Sequence, residues 1–167
     1  GMWERTILMG GFSKAYAMTG WRIGFVAAPA RICDGMVRIH QYSVMSAPTI
    51  SQYAALEALR VGEPYVQEMR AEYARRRQLI WSGLNALGLK TSLPGGAFYV
   101  FPDITSSGLD DEAFAEKLLQ EEHVAVVPGR SFGDSGIGFV RCSYAAEYHS
   151  IEIALERIAA FLERHRA

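Results

Sequence analysis

GGFSKAYAMTGWRIGF, Gly10 to Phe25, sets one lysine in a turn rich in glycine and serine and an arginine eight residues later. Before it, Thr6 to Met9 is an apolar, β-prone stretch that ends in Gly10-Gly11, and after it Trp21 to Ala27 reads as a second strand. Lys14 therefore lies on a turn at a strand end, where ligands collect in open α/β sheets. Arg22 carries a permanent planar charge whose fork of donors suits a phosphate dianion, and Ser13 with the small glycines lets backbone and hydroxyl groups approach closely. Burial and nearby positive charge would both favour the neutral, nucleophilic form of the Lys14 amine. Taken singly, Lys14 or Arg22 reads as an ordinary exposed cation. The joint run of residue types over this length is what reverses that reading.

The run resembles the fold-type I pyridoxal-phosphate enzymes, and within them the class I/II aminotransferases of the aspartate and aromatic kind. The resemblance implies that Lys14 is the Schiff-base lysine of pyridoxal 5′-phosphate and that Arg22 and Ser13 hold the cofactor phosphate. Many relatives carry a phosphate-binding serine three residues before the lysine, where this chain has Gly11. That departure weakens one contact and leaves the assignment standing.

A second marker is GFVRCSYA, Gly138 to Ala145. Alternation along a strand puts Val140 and Cys142 on one face and Phe139, Arg141 and Ser143 on the other. A mid-strand arginine needs an anionic partner, because burying an unpaired guanidinium is costly and a carboxylate accepts two parallel hydrogen bonds from it. On the strand pattern alone that partner is a structural salt bridge. In the family resembled, the arginine here clamps the α-carboxylate of the amino acid, so the resemblance gives Arg141 a substrate role. Between the markers, PGGAFYVFPDI (Pro94 to Ile104) and VVPGRSFG (Val126 to Gly133) resemble loops that border the substrate. Each alone is a common Gly/Pro turn beside an apolar strand. QYSVMSAPTISQYAALEAL, Gln41 to Leu59, resembles the family segment that crosses the domain and dimer boundary.

At 167 residues, half of them hydrophobic, the chain can bury one core. Whole enzymes of the family resembled are more than twice as long, and the match is to their C-terminal part. The fold expected is α/β: the C-terminal portion of the PLP-transferase fold, with residues 1–62 a remnant of the large cofactor domain plus the interdomain helix, and residues 63–167 the small αβ sandwich domain. The resemblance places the phosphate-cradling helix start, the ring that stacks on the pyridine and the acid that pairs with its nitrogen in a part this chain lacks. The net charge of −1, with both signs interspersed, argues against a nucleic-acid or membrane surface as partner. Arg75-Arg76-Arg77 sits beside Glu68 and Glu72 in a helical stretch and reads as a solvated face. No apolar run approaches the ~20 residues needed to span a bilayer, Cys33 and Cys142 lack metal or secreted-domain spacing, and no metal site is expected. These features point to the cytoplasm.

Periodicity predicts a helix after Pro29 and another from Ala47-Pro48 through Leu59, a boundary at Gly62-Glu63-Pro64, and an Arg-rich helix ending at Gly88. Strands follow at Ala97–Phe101, Val124–Val127 and Gly138–Cys142, with a helix begun by Asp110 and a last helix carrying Ile151, Leu155, Ile158 and Leu162 on one stripe. The first sixty residues lack flanking strands, which predicts exposed apolar surface and self-association. The parent enzyme expected is a homodimeric aminotransferase acting on an amino acid and a 2-oxo acid, with the fragment alone inactive. A non-catalytic fragment serving as a dimerisation module, and a related PLP β-lyase or synthase, are the alternatives the residues leave open.

Overall fold

Two short apolar stretches on either side of the Lys14 turn pair with each other, and that pairing starts the fold. In the computed structural model, which describes residues 1–165, β1 (Leu8–Gly11) and β2 (Gly24–Ala27) form an antiparallel ribbon with Leu8 opposite Ala27 and Gly11 opposite Gly24. Both strands are displaced from the expected spans. The first starts at Leu8 and continues through both glycines. The second starts at Gly24, because Thr19–Trp21 winds into a 3-10 turn and Arg22 follows in a left-handed conformation at φ 53. Gly10 has a steric reason to be glycine, since the Phe25 ring lies where a β-carbon would stand.

Proline sets the next two helix starts. Pro29 and Pro48 stand at the N-caps of α1 (Ala30–Ser43) and α2 (Thr49–Val61), with φ −53 and −52, close to the value the pyrrolidine ring imposes. Gly62 then separates α2 from α3 (Glu63–Ala86). Inter-residue contacts divide the chain into two compact units, Gly1–Met69 and the part from Arg70 onward. The core of the first unit is small: Phe12, Met18 and Ala55, with Tyr16, Ile23, Ala54 and Ala58 against them. Much apolar surface stays open around it, with Met9 77% and Tyr42 88% exposed and Ile39, Met45, Ile50 and Tyr53 exposed as well. The exposed apolar surface expected of this region is therefore present.

The second unit is a two-layer αβ sandwich. Its sheet has the order β3-β5-β4, from β3 (Tyr99–Val100), β4 (Val127–Pro128) and β5 (Val140–Ser143), with all pairs antiparallel. These strands are shorter than predicted. Ala97 stands at φ 60, outside the strand region, and Pro102 and Pro128 bring no N–H to a ladder. Val100, Val140 and Cys142 face a core made with Ile80 and Leu84 of α3, Phe114 and Leu118 of α4 (Asp111–Glu122), and Ile151, Ile158, Phe161 and Leu162 of α5 (Tyr148–His165). Asp110 caps α4 as expected, accepting a hydrogen bond from the Ala113 N–H at 2.8 Å. Leu109 and Phe114 both join the core beneath it. The basic triplet is spent internally: Arg75 and Arg76 pair with Glu72 at 3.0 and 2.7 Å, and Arg77 donates to the Pro94 carbonyl at 3.1 Å. Among the described residues, no helix is long and apolar enough to cross a membrane.

Candidate active site

Lys14 lies in the connection between β1 and β2, and that connection is anchored from its apolar side. Phe12 and Met18 are buried at either end, and the Phe12 carbonyl accepts hydrogen bonds from the Tyr16 and Met18 N–H groups at 3.2 and 3.3 Å. Thr19 ties the turn to Arg22. Its hydroxyl donates to the Ser13 carbonyl at 3.1 Å, while its own carbonyl accepts from Arg22 Nη1 at 3.0 Å. Ala17 and Arg22, both at φ 53, are non-glycine residues in the left-handed region, a strained geometry that clusters at functional sites.

One expectation needs correction here: Lys14 is exposed, not buried. The turn sits at the end of a two-stranded ribbon whose residues are exposed apart from the half-buried Ala27, so among the described residues the ribbon does not enclose the amine. The charge pattern is nevertheless suited to an anion. From Arg5 through Cys33 the chain carries Arg5, Lys14, Arg22 and Arg31 and no aspartate or glutamate. A guanidinium, a serine hydroxyl and a lysine amine on one acid-free connection are the donor set that a phosphate monoester bearing an aldehyde would use. The residues present thus fit pyridoxal 5′-phosphate.

Arg141 belongs to the second unit, on the face of β5 turned away from the core. Val140 and Cys142 are buried while Arg141 is half-buried and Ser143 exposed, as the alternation requires. Its surroundings differ from the salt bridge that the strand pattern alone suggests. Among the described residues Arg141 forms no ion pair. Its guanidinium carbon lies instead 4.2 Å from the centroid of the Tyr99 ring and 4.6 Å from that of Phe132. Tyr99 reaches it diagonally, because Tyr99 pairs with Ser143 two residues along β5. Rings take the face of a guanidinium and leave its in-plane N–H donors for a carboxylate.

Sequence reading placed Tyr99 (residues 94–104) and Arg130 and Phe132 (residues 126–133) in segments resembling loops that border the substrate, but it singled out none of these residues, nor the pairing of Asp111 with Arg130. Asp111 is fully buried, and Arg130 donates to it from Nη2 at 2.7 Å and from Nε at 3.0 Å. That contact holds the Asp111 carboxyl well below the ordinary 3.8, at about 2. The one available signal was the doubled aspartate before an apolar helix, of which a single residue suffices as a cap. Cys142 is the opposite case, a thiol pushed up to about 12 by burial. Among the described residues no group of three or more His, Cys, Asp or Glu side chains is arranged to hold a metal ion.

With this geometry in hand, comparison with known proteins is direct. The family model for aminotransferase class I and II matches residues 1–158. The chain belongs to that family. The aspartate aminotransferase of Pyrococcus abyssi is 50% identical over 168 residues, covering 99% of this chain and 43% of that protein. The aromatic-amino-acid aminotransferase 2 of Thermococcus litoralis is 49% identical over 99% of this chain and 43% of its own length. Among solved structures, the aromatic aminotransferase from Pyrococcus horikoshii superposes with a TM-score of 0.93 at 51% identity, over 98% of this chain and 44% of that one. An aspartate aminotransferase from Thermus thermophilus, solved with maleate, gives 0.88 at 43% identity over 95% and 41%. This aminotransferase-family chain thus spans less than half the length of the relatives it matches and carries the corresponding α/β fold over that part.

Proposed function

We propose that the protein to which this chain belongs moves an amino group from an amino acid to a 2-oxo acid with pyridoxal 5′-phosphate. The observation that carries the reading is the acid-free connection joining Lys14, Ser13 and Arg22. Arg22 and Ser13 would neutralise and orient the cofactor phosphate, and Lys14 Nζ would hold its aldehyde end. When bound, the cofactor supplies an aldehyde that condenses with amines and a ring that withdraws electrons from the substrate Cα. Lys14 Nζ would serve as the base that takes the Cα proton and as the acid that returns it. Arg141 would offer its in-plane donors to the α-carboxylate.

Residues 1–62 are taken as the large-domain part with the interdomain helix, and 63–167 as the small domain. The open apolar residues of α1 and α2 support a homodimer, and we place the protein in the cytoplasm. Because the chain spans 43% of its relatives' length, the activity is assigned to the longer protein and the 167-residue chain alone is taken as inactive. Lys14→Ala in the full-length protein tests the reading: amino-group transfer is expected to vanish, and turnover that survives in a folded Lys14→Ala variant would sink it.

A further inference from the structure

The loop that brings Phe132 to Arg141 is gripped by an ion pair whose carboxylate is buried and whose guanidinium is partly exposed. Asp110 and Asp111 are adjacent and do different work. Asp110 caps α4 through the Ala113 N–H, whereas Asp111, fully buried, turns to the loop and accepts from Arg130 at three points: the backbone N–H at 2.8 Å, Nε at 3.0 Å and Nη2 at 2.7 Å. Glu112 takes Arg130 Nη1 at 2.9 Å. A buried carboxylate persists in an ionised form only when its lone pairs are met in this way.

The gripped residue is the second of the 3-10 turn Gly129–Phe132. Gly129 holds the turn from the other side. Its N–H donates to the Phe139 carbonyl at 2.8 Å, and its α-carbon stands so close to the Gly136 backbone that a β-carbon has no room. Phe132 closes the turn. Its ring lies 4.6 Å from the Arg141 guanidinium and edge-on to Phe101 at 5.8 Å, and Phe101 in turn stacks on Phe139 at 5.5 Å. Yet Phe132 is 47% exposed, so burial alone does not hold the ring there.

We propose that Asp111, acting through Arg130, is a positioning residue for carboxylate binding: the pair fixes the turn that sets Phe132 against Arg141, and so aims the guanidinium's in-plane donors at the ligand. This rests on the reading of Arg141 as the carboxylate arginine. Neither Asp111 nor Arg130 touches the ligand in this scheme.

The test follows the Arg141 Nε–H resonance of the 167-residue chain during a titration with maleate as the carboxylate probe. In the native chain, maleate is expected to move that resonance saturably. Asp111→Asn and Arg130→Gln are expected to shift it away from its ring-shielded position before any maleate is added, and to weaken maleate about three- to ten-fold, the range a lost ring–guanidinium contact corresponds to. Phe132→Leu, which leaves the ion pair whole, is expected to weaken maleate equally. If Asp111→Asn and Arg130→Gln stay folded with the Arg141 resonance and the affinity unchanged, the positioning role is overturned while the Arg141 reading survives. If they unfold, Phe132→Leu decides, and unchanged affinity there overturns the proposal. If maleate leaves Arg141 unmoved in the native chain, the carboxylate reading itself fails and the proposal falls with it.

Discussion

The Tyr144 hydroxyl donates to the Ala97 carbonyl at 2.9 Å, joining residues 47 positions apart. Ala97 stands at φ 60, a conformation that costs an L-residue roughly 1–2 kcal/mol, and it leads into Tyr99, whose ring meets Arg141. The buried tyrosine thus holds a strained turn next to the candidate carboxylate site, with Arg77 gripping Pro94 from α3. Tyr144→Phe keeps the ring and removes the bond. It should cost about 1 kcal/mol of stability in urea denaturation with an unchanged m-value. No loss of stability would mean that packing alone fixes the turn.

Arg141→Lys separates charge from geometry. Lysine keeps the cation but has neither the planar fork nor the flat face that Tyr99 and Phe132 contact. In the full-length protein the KM for both the amino acid and the 2-oxo acid should rise by about ten-fold or more, and kcat should fall less. Unchanged KM values for both substrates would remove Arg141 from the site.

Asp111 should make the second unit sensitive to acid. Its folded pKa of about 2 lies below the ordinary 3.8, so its stabilising contribution is complete above the unfolded value and is lost as pH falls through the folded one. Because Arg130 is 38% exposed, solvent screening reduces that contribution to about 1–2 kcal/mol. The difference in unfolding free energy between the native chain and Asp111→Asn should be constant above pH ~5 and shrink towards pH ~2. A difference that does not change with pH would show that the ion pair contributes no charge-dependent stability.

The two thiols should behave differently towards a disulfide reagent at pH ~8. Cys142 is buried with its thiol pushed up to about 12, whereas Cys33 is half-buried and donates to the Ala28 carbonyl at 3.3 Å. Thiolate is the reacting form, so Cys142 should react only after denaturant is added, whereas the half-buried Cys33 is accessible to the reagent in the native chain. Rapid modification of Cys142 in the native state would show that the sheet face opens.

What could be read beforehand was local. Lys14, Ser13 and Arg22 stand in one continuous run, so residue type and spacing sufficed to pick them out, and the alternation Val140, Arg141, Cys142 gave the two faces of β5 directly. The aromatic cover of Arg141 was out of reach. Tyr99 arrives through strand pairing and Phe132 through a turn locked from α4, and the sequence shows neither contact. Strand lengths failed for a related reason: left-handed backbone at Ala97 and Arg22 ends or delays strands at residues whose side chains carry no such signal. Lys14 was expected in a setting whose burial favours the neutral amine because its turn lies at a strand end, but a ribbon of two strands encloses nothing by itself.

The chain has three lysines, Lys14, Lys90 and Lys117, and the most direct test is to find which one holds the cofactor. The full-length protein would be incubated with pyridoxal 5′-phosphate, reduced with borohydride, digested and mapped by mass spectrometry. The account predicts the pyridoxyl group on Lys14, together with loss of the visible absorbance band in Lys14→Ala. A label on Lys90 or Lys117, on a lysine elsewhere in the longer protein, or spread evenly among them would contradict it.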